Sequence, residues 1–135
     1  MDLVKLKVLV VDDSAMARDA IAGGLKALGA VRIDKVENGK EALLKIKRAI
    51  NDSMPYDLMT LAWELPEMSG LELLRIIRAD SVMKSLLVLM VSSKADPEEL
   101  KLLAPLQPSG YIVKPFTSEL LEKRIKRLLA KTDGR

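Results

Sequence analysis

A chain of 135 residues with 49% apolar side chains is long enough for one domain with a buried core and too apolar to be disordered. It has no Cys and no His, which excludes disulfides, thiolate or imidazole metal sites, histidine general bases and a phosphohistidine on this chain. The formal charge is only +3, and no apolar run approaches the roughly 18 residues of a membrane span, so neither a dedicated nucleic-acid binder nor a membrane-inserted protein is expected.

With 3% aromatic residues, the core must be built from Leu, Val, Ile, Ala and Met, and the seven Met residues are read as core filler. The N-terminus lacks a basic segment followed by an apolar stretch and a cleavage site, so a cytoplasmic protein is expected. Much of the positive excess lies in KRIKRLLAKTDGR near the end, which reads as a solvated helix face.

Residues 6–11, LKVLVV, have the length and β-branched content of a buried strand. Asp12-Asp13-Ser14 follows. Ser14 can cap a helix whose apolar positions Ala17, Ile21, Leu25 and Leu28 share one face, and Gly29 can close it. Gly23-Gly24 inside that helix costs about 1 kcal/mol each against Ala, and either close packing or a contact groove accounts for the pair.

Residues 31–36 form a weaker second strand, and Asn38-Gly39 reads as a turn. A helix over about 40–51 buries Ala42, Ile46, Ala49 and Ile50. The third strand, Asp57 to Ala62, runs into a loop stopped by Pro66. Ser69 with Glu72 three residues on reads as a capping box for a helix from Gly70 to Ala79, burying Leu71, Leu74 and Ile77.

Residues 86–91 form a fourth strand ending in Ser92-Ser93. Asp96-Pro97-Glu98-Glu99 starts a helix that Pro105 and Pro108 keep short. Tyr111 to Val113 is a fifth strand ending in Lys114-Pro115-Phe116. Thr117 caps a last helix with Leu121, Ile125 and Leu128 facing inward.

Five strands alternating with five helices imply an α/β fold: a flavodoxin-like (βα)5, doubly wound, five-stranded parallel sheet of order 2-1-3-4-5. Residues 1–135 form one domain with its core over about 5–130 and a frayed tail at 131–135. In that order the first and third strands are neighbours, so Asp12, Asp13 and Ala62 share one crevice, flanked by Ser92 and Lys114. Adjacent carboxylates repel and are held together mainly to bind a hard cation, while a lysine and a hydroxyl suit phosphate oxygens. The group is equipped for phosphoryl transfer but lacks an accepting oxygen at Ala62.

The landmarks VVDDS at 10–14, LPEMSGLELL at 65–74, VLMVSS at 88–93 and GYIVKPFT at 110–117 resemble those of a response-regulator receiver domain of the single-domain chemotaxis type, over about residues 5–130. Such domains take a phosphoryl group from a partner's histidine onto an aspartate after the third strand, with Mg²⁺ assisting. They relay the change to the face made by the fourth and fifth helices. The resemblance implies that Asp12 and Asp13 match the Mg²⁺-holding acidic pair, Ser92 the hydroxyl residue, Tyr111 the aromatic switch and Lys114 the conserved-type lysine. It also implies a cis bond before Pro115. Glu64 falls where the family gives a backbone carbonyl to the metal, and Ala62 falls where the phosphorylated aspartate should be.

Without a phosphoacceptor at Ala62, the expectation is a two-component receiver that signals by protein contact, not an enzyme, with Mg²⁺ binding weakened. Ala62 is either native to a pseudo-receiver or an engineered block. Asp57 is about 16 Å away at strand rise and cannot substitute. Glu64 or one of the Asp pair is expected to hold Lys114 in an ion pair. Trp63 is either a partner contact or a packing residue. The two prolines of APLQPSG at 104–110 alter the fourth helix, so partner identity does not transfer. Expected partners are a histidine kinase or a downstream signalling protein, met through the fourth and fifth helices, with no nucleic acid and a monomer or weak dimer. The alternative reading is a small Mg²⁺-dependent phosphatase or a flavodoxin-like cofactor binder. The first lacks a further acid or nucleophile, and the second lacks a Ser/Thr/Gly-rich phosphate loop after the first strand.

Overall fold

Five short β-rich runs pair into one parallel sheet in the computed structural model, which describes residues 2–94 and 96–133. The strands are β1 (Lys7–Val11), β2 (Arg32–Val36), β3 (Leu58–Ala62), β4 (Leu87–Ser92) and β5 (Gly110–Val113), in the order β2-β1-β3-β4-β5. Between and after them come α1 (Ala15–Ala27), α2 (Gly39–Asn51), α3 (Gly70–Ala79), α4 (Pro97–Leu103) and α5 (Ser118–Asp133). This is the flavodoxin-like α/β architecture that the alternation predicts. β1 pairs with β3 in the register Val11↔Leu61, so Asp12 and Ala62 stand level at the strand tips.

Successive side chains of a strand point to opposite faces, and each face has its own core. Leu9, Val11, Met59 and Leu61 pack with Ala42 and Ile46 of α2 and with Leu73, Leu74 and Ile77 of α3. Val8, Val10, Leu58 and Leu89 pack with Ile21 and Leu25 of α1 and with Leu121, Ile125 and Leu128 of α5. The central strands β1, β3 and β4 are therefore buried nearly throughout and mostly apolar, with Thr60 and Ser92 as buried polar exceptions, whereas edge strand β2 is largely exposed or half-buried.

Helix starts follow the cap chemistry. Ser14 Oγ accepts from the Ala17 amide at 3.2 Å, Ser69 Oγ from Glu72 at 3.2 Å, Asp96 Oδ1 from Glu98 at 3.0 Å and Thr117 Oγ1 from Leu120 at 3.1 Å. Asn38 corrects the turn reading: its Oδ1 caps the Glu41 amide at 2.9 Å, and α2 begins directly at Gly39. β4 is shifted one residue later than expected, because the Leu86 amide closes a turn onto Met83 O. Ser92 is thus the last residue of the strand.

Ala17, Leu28, Ile50 and Leu71 are half-buried rather than buried, and Ala22 and Leu73 take the inward positions. α5 continues through Asp133, past the expected start of fraying; residues 134–135 of that expected tail lie outside the described residues.

The two glycines of α1 separate. A Cβ on Gly24 would lie 2.8 Å from Leu121 Cδ2, so α5 approaches closely there and the Leu121 tip would have to shift, whereas a Cβ on Gly23 would meet nothing within 4 Å.

Tyr56 is buried just before β3 and donates its hydroxyl to Asp34 Oδ2 on β2, with the Lys7 ammonium 4.4 Å from its ring centroid. Burial, and then the Asp34 carboxylate, push its phenol above the ordinary value of 10.0. The folded chain therefore holds this proton more tightly than the unfolded one. The resulting stability is fully present below about pH 10 and is lost as pH rises through the folded value. Tyr56→Phe is expected to lose about 1–2 kcal/mol at neutral pH and to fall less steeply above about pH 10. Urea denaturation across that range checks this, and parallel curves for the two chains would contradict it.

Candidate functional site

The site residues stand at the carboxyl ends of β1, β3, β4 and β5, where such folds place their chemistry. Asp12 directly follows β1, and its amide continues the ladder to Val36 O at 3.2 Å. Its side chain is only 1% exposed. One carboxylate oxygen accepts from the Ser14 amide at 3.0 Å, and the other accepts from Lys114 Nζ at 2.8 Å. This is a charge-assisted hydrogen bond that compensates a carboxylate held away from water. Of the two kinds of pairing expected for Lys114, the Asp12 one is present.

Lys114 is placed by its amide, which donates to Ser92 O at 2.7 Å, and the Lys114–Pro115 peptide is cis. The Arg18 guanidinium adds a second positive group by donating to Asp12 O at 2.8 Å. Sequence reasoning missed Arg18. Its only signal was a position one turn into the helix that the Asp12-Asp13-Ser14 loop starts.

Ala62 ends β3 with its methyl 2% exposed. Its backbone lies hard against α3: the Gly70 amide donates to Trp63 O at 2.9 Å, and the Trp63 amide donates to Val91 O at 2.8 Å. Trp63 itself is half-buried and packs on the core face of α2 and α3.

The hydroxyl residues are engaged elsewhere. Ser92 is fully buried, and its Oγ lies 2.9 Å from Glu99 Oε1 on α4 and 3.0 Å from Lys94 O, while accepting from the Lys94 amide at 3.0 Å. Ser93 Oγ donates to Glu64 Oε1 at 2.8 Å, with the Ser93 amide 3.3 Å from the same oxygen. Glu64 therefore bridges the loop after β3 to the loop after β4. Half-buried Tyr111 donates its hydroxyl to Lys94 O at 3.0 Å, and its carbonyl accepts from Arg124 Nε on α5 at 3.1 Å. Glu99 was legible only as an acid in the first turn of α4; nothing in its spacing ties it to Ser92.

Mg²⁺ needs oxygen ligands in near-octahedral geometry. Asp12 has one oxygen on an amide and one on an ammonium, Glu64 is held by Ser93, Ala62 offers no side-chain oxygen, and Asp13 is exposed. Among the described residues no three acids converge on one point. As arranged, these side chains do not fit a three-ligand cation site.

The comparisons agree with this architecture. The chain is 33% identical over 129 residues to the chemotaxis protein CheY of Pseudomonas aeruginosa, covering 96% of this chain and 100% of that one. It is 33% identical over 123 residues to CheY-3 of Vibrio cholerae, covering 91% of each. The solved structure of the chemotaxis response regulator CheY4 of Vibrio cholerae superposes with a TM-score of 0.80 at 30% identity, over 91% of this chain and 98% of that chain. Residues 8–126 match the response regulator receiver domain, and the chain belongs to that family.

Proposed function

We propose that this CheY-like receiver takes part in two-component signalling by protein contact alone, without a covalent phosphate at position 62. The observation that carries this reading is the pairing of Lys114 with Asp12 at 2.8 Å beside a strand tip whose side chain is the Ala62 methyl. A methyl has no lone pair to attack phosphorus, and the Lys114 ammonium already has a counter-ion in Asp12. Turning Ser92 onto Glu99 completes an arrangement that is closed without a phosphoryl group. Mg²⁺ binding is weakened, because the pair at Asp12 must open before that carboxylate can serve a metal.

The protein works in the cytoplasm as a binding module with no catalytic step of its own, as a monomer or weak dimer. Its partner, a histidine kinase or a downstream signalling protein, is met on the face of α4 and α5, where Leu100 and Leu102 are exposed. Among the described residues no helix is long and apolar enough to cross a membrane. Incubation with acetyl phosphate and MgCl₂, followed by intact-mass measurement, is expected to show no phosphoryl adduct. A stoichiometric adduct on the unaltered chain overturns the proposal.

A further inference from the structure

At the opposite end of the strands from that crevice, below the amino ends of β3, β4 and β5, two cavities share a wall. One, of about 570 Å³, is mainly apolar and is lined by Ile46, Ile50, Tyr56, Val82 and Met83. The other, of about 440 Å³, is lined by Arg78, Lys84 and Lys131 with the hydroxyls of Ser85 and Ser109, and among the described residues no Asp or Glu contributes to its wall. Ser85, Leu86 and Leu87 border both. The apolar and basic lobes therefore lie on two sides of the segment entering β4. Both volumes are of the size that small-molecule sites have.

Arg78 anchors the basic lobe. Its guanidinium donates to Gln107 O at 3.0 Å, Lys84 O at 3.0 Å and Leu86 O at 2.8 Å, and reaches Ser109 Oγ at 3.4 Å. Every one of these acceptors is neutral. Burial pushes the guanidinium below the usual arginine range with no carboxylate to offset it. Two acids of this end, Asp57 and Asp80, lie on the apolar side instead. Asp57 borders the larger cavity and accepts from the Lys7 amide at 2.9 Å. Asp80 borders a smaller cavity that continues past Ile50 and Val82, and it accepts from the Val82 and Met83 amides. Lys47 stands beside Asp80 in that smaller cavity, so the anionic head is favoured on the side where three basic residues line the wall with no described acid.

We propose that this trough binds a small amphipathic anion, with its hydrocarbon body in the apolar lobe and its carboxylate or phosphate head among Arg78, Lys84 and Lys131. An acyl carboxylate is the simplest such molecule. Charge complementarity selects the head, since three basic residues line a lobe to which no described acid contributes. Exposure of Val82 at 63% leaves the apolar lobe open to an entering chain. The site is remote from the Asp12–Lys114 crevice and does not depend on how that crevice is used.

Arg78 also clasps the two loops that precede β4 and β5, so its replacement would confuse binding with folding. The test uses exposed residues instead. Decanoate below its micelle-forming concentration is titrated into labelled protein and followed by amide shifts. Saturable shifts confined to about residues 82–87 and 107–109 are expected. Decanol, with the same body and no charge, is expected to bind roughly tenfold more weakly, as is decanoate to the Lys84→Glu, Lys131→Glu double variant. The charge-matched Lys101→Glu, Lys123→Glu variant is expected to bind decanoate as the parent does, and thermal melts show that each variant is folded. Absence of saturation, equal binding of decanol, or equal weakening by both double variants overturns the proposal. So does adsorption to phosphatidylglycerol vesicles with no response to monomeric decanoate, because that is attraction to a charged surface rather than a pocket.

Discussion

Replacing Gly70 with alanine is expected to destabilise the protein by about 3–4 kcal/mol, far more than a helix-start substitution normally does. The added Cβ would collide with the Ala62 carbonyl oxygen and would lie 3.0 Å from both the Ala62 carbonyl carbon and Trp63 Cα. All three are backbone atoms at the end of a central strand, which Trp63 extends by donating to Val91 O. They cannot swing aside as a side-chain tip would. α3 must retreat instead, which strips Leu73, Leu74 and Ile77 from the core they fill. Gly23→Ala supplies the contrast, because nothing stands within 4 Å of its Cβ. That change removes helix-breaking entropy and is expected to add about 1 kcal/mol. Urea denaturation of both variants measures the two effects, and a loss below about 1 kcal/mol for Gly70→Ala would mean that α3 does not press on the strand tip as described.

Ala62→Asp is expected to have the largest effect on activity: stoichiometric labelling by acetyl phosphate where the parent takes none. The introduced carboxylate oxygen attacks phosphorus, the bond to the acetyl oxygen breaks, and acetate leaves with the electron pair. The same change is expected to weaken the fold by about 2–3 kcal/mol in the absence of divalent cation. Position 62 is 2% exposed and level with Asp12, whose own counter-ion is the single Lys114 ammonium at 2.8 Å. Two buried carboxylates would then share one cation, and millimolar MgCl₂ is expected to restore much of the loss. Intact-mass measurement and denaturation with and without MgCl₂ read the two effects. A stable, well-folded variant that remains unlabelled would show that this strand tip is not where a transferred phosphoryl group lands.

The sheet was legible because its central strands β1, β3 and β4 are buried on both faces and so read as largely apolar runs, and because caps such as Ser14, Ser69 and Asp96 mark where helices begin. Topology then brought Asp12, Ala62, Ser92 and Lys114 to one end without any knowledge of side-chain contacts. What spacing could not reveal is which partner each side chain takes. Ser92 faces α4 because Glu99 accepts from it, and Glu64 turns to Ser93 rather than to Lys114. Arg18 reaches back to a carbonyl, a contact that leaves no pattern in residue types. Gly24 looked like its neighbour until α5 was in place, since a close approach between helices distant in sequence has no local signature. The paired cavities at the far end were invisible for the same reason, being assembled from segments that precede three different strands.

The ion pair between Asp12 and Lys114 joins residues 102 positions apart. During synthesis the first strand emerges long before its counter-charge, so the carboxylate must stay hydrated while most of the sheet is still unmade. Closing so distant a contact is slow, and it cannot precede the docking of the fifth strand. The crevice is consequently expected to be completed only once the fifth strand has docked. A ribosome-stalled chain ending before Lys114 should carry a wet, unneutralised acid at the tip of its first strand, however much of the sheet has already formed.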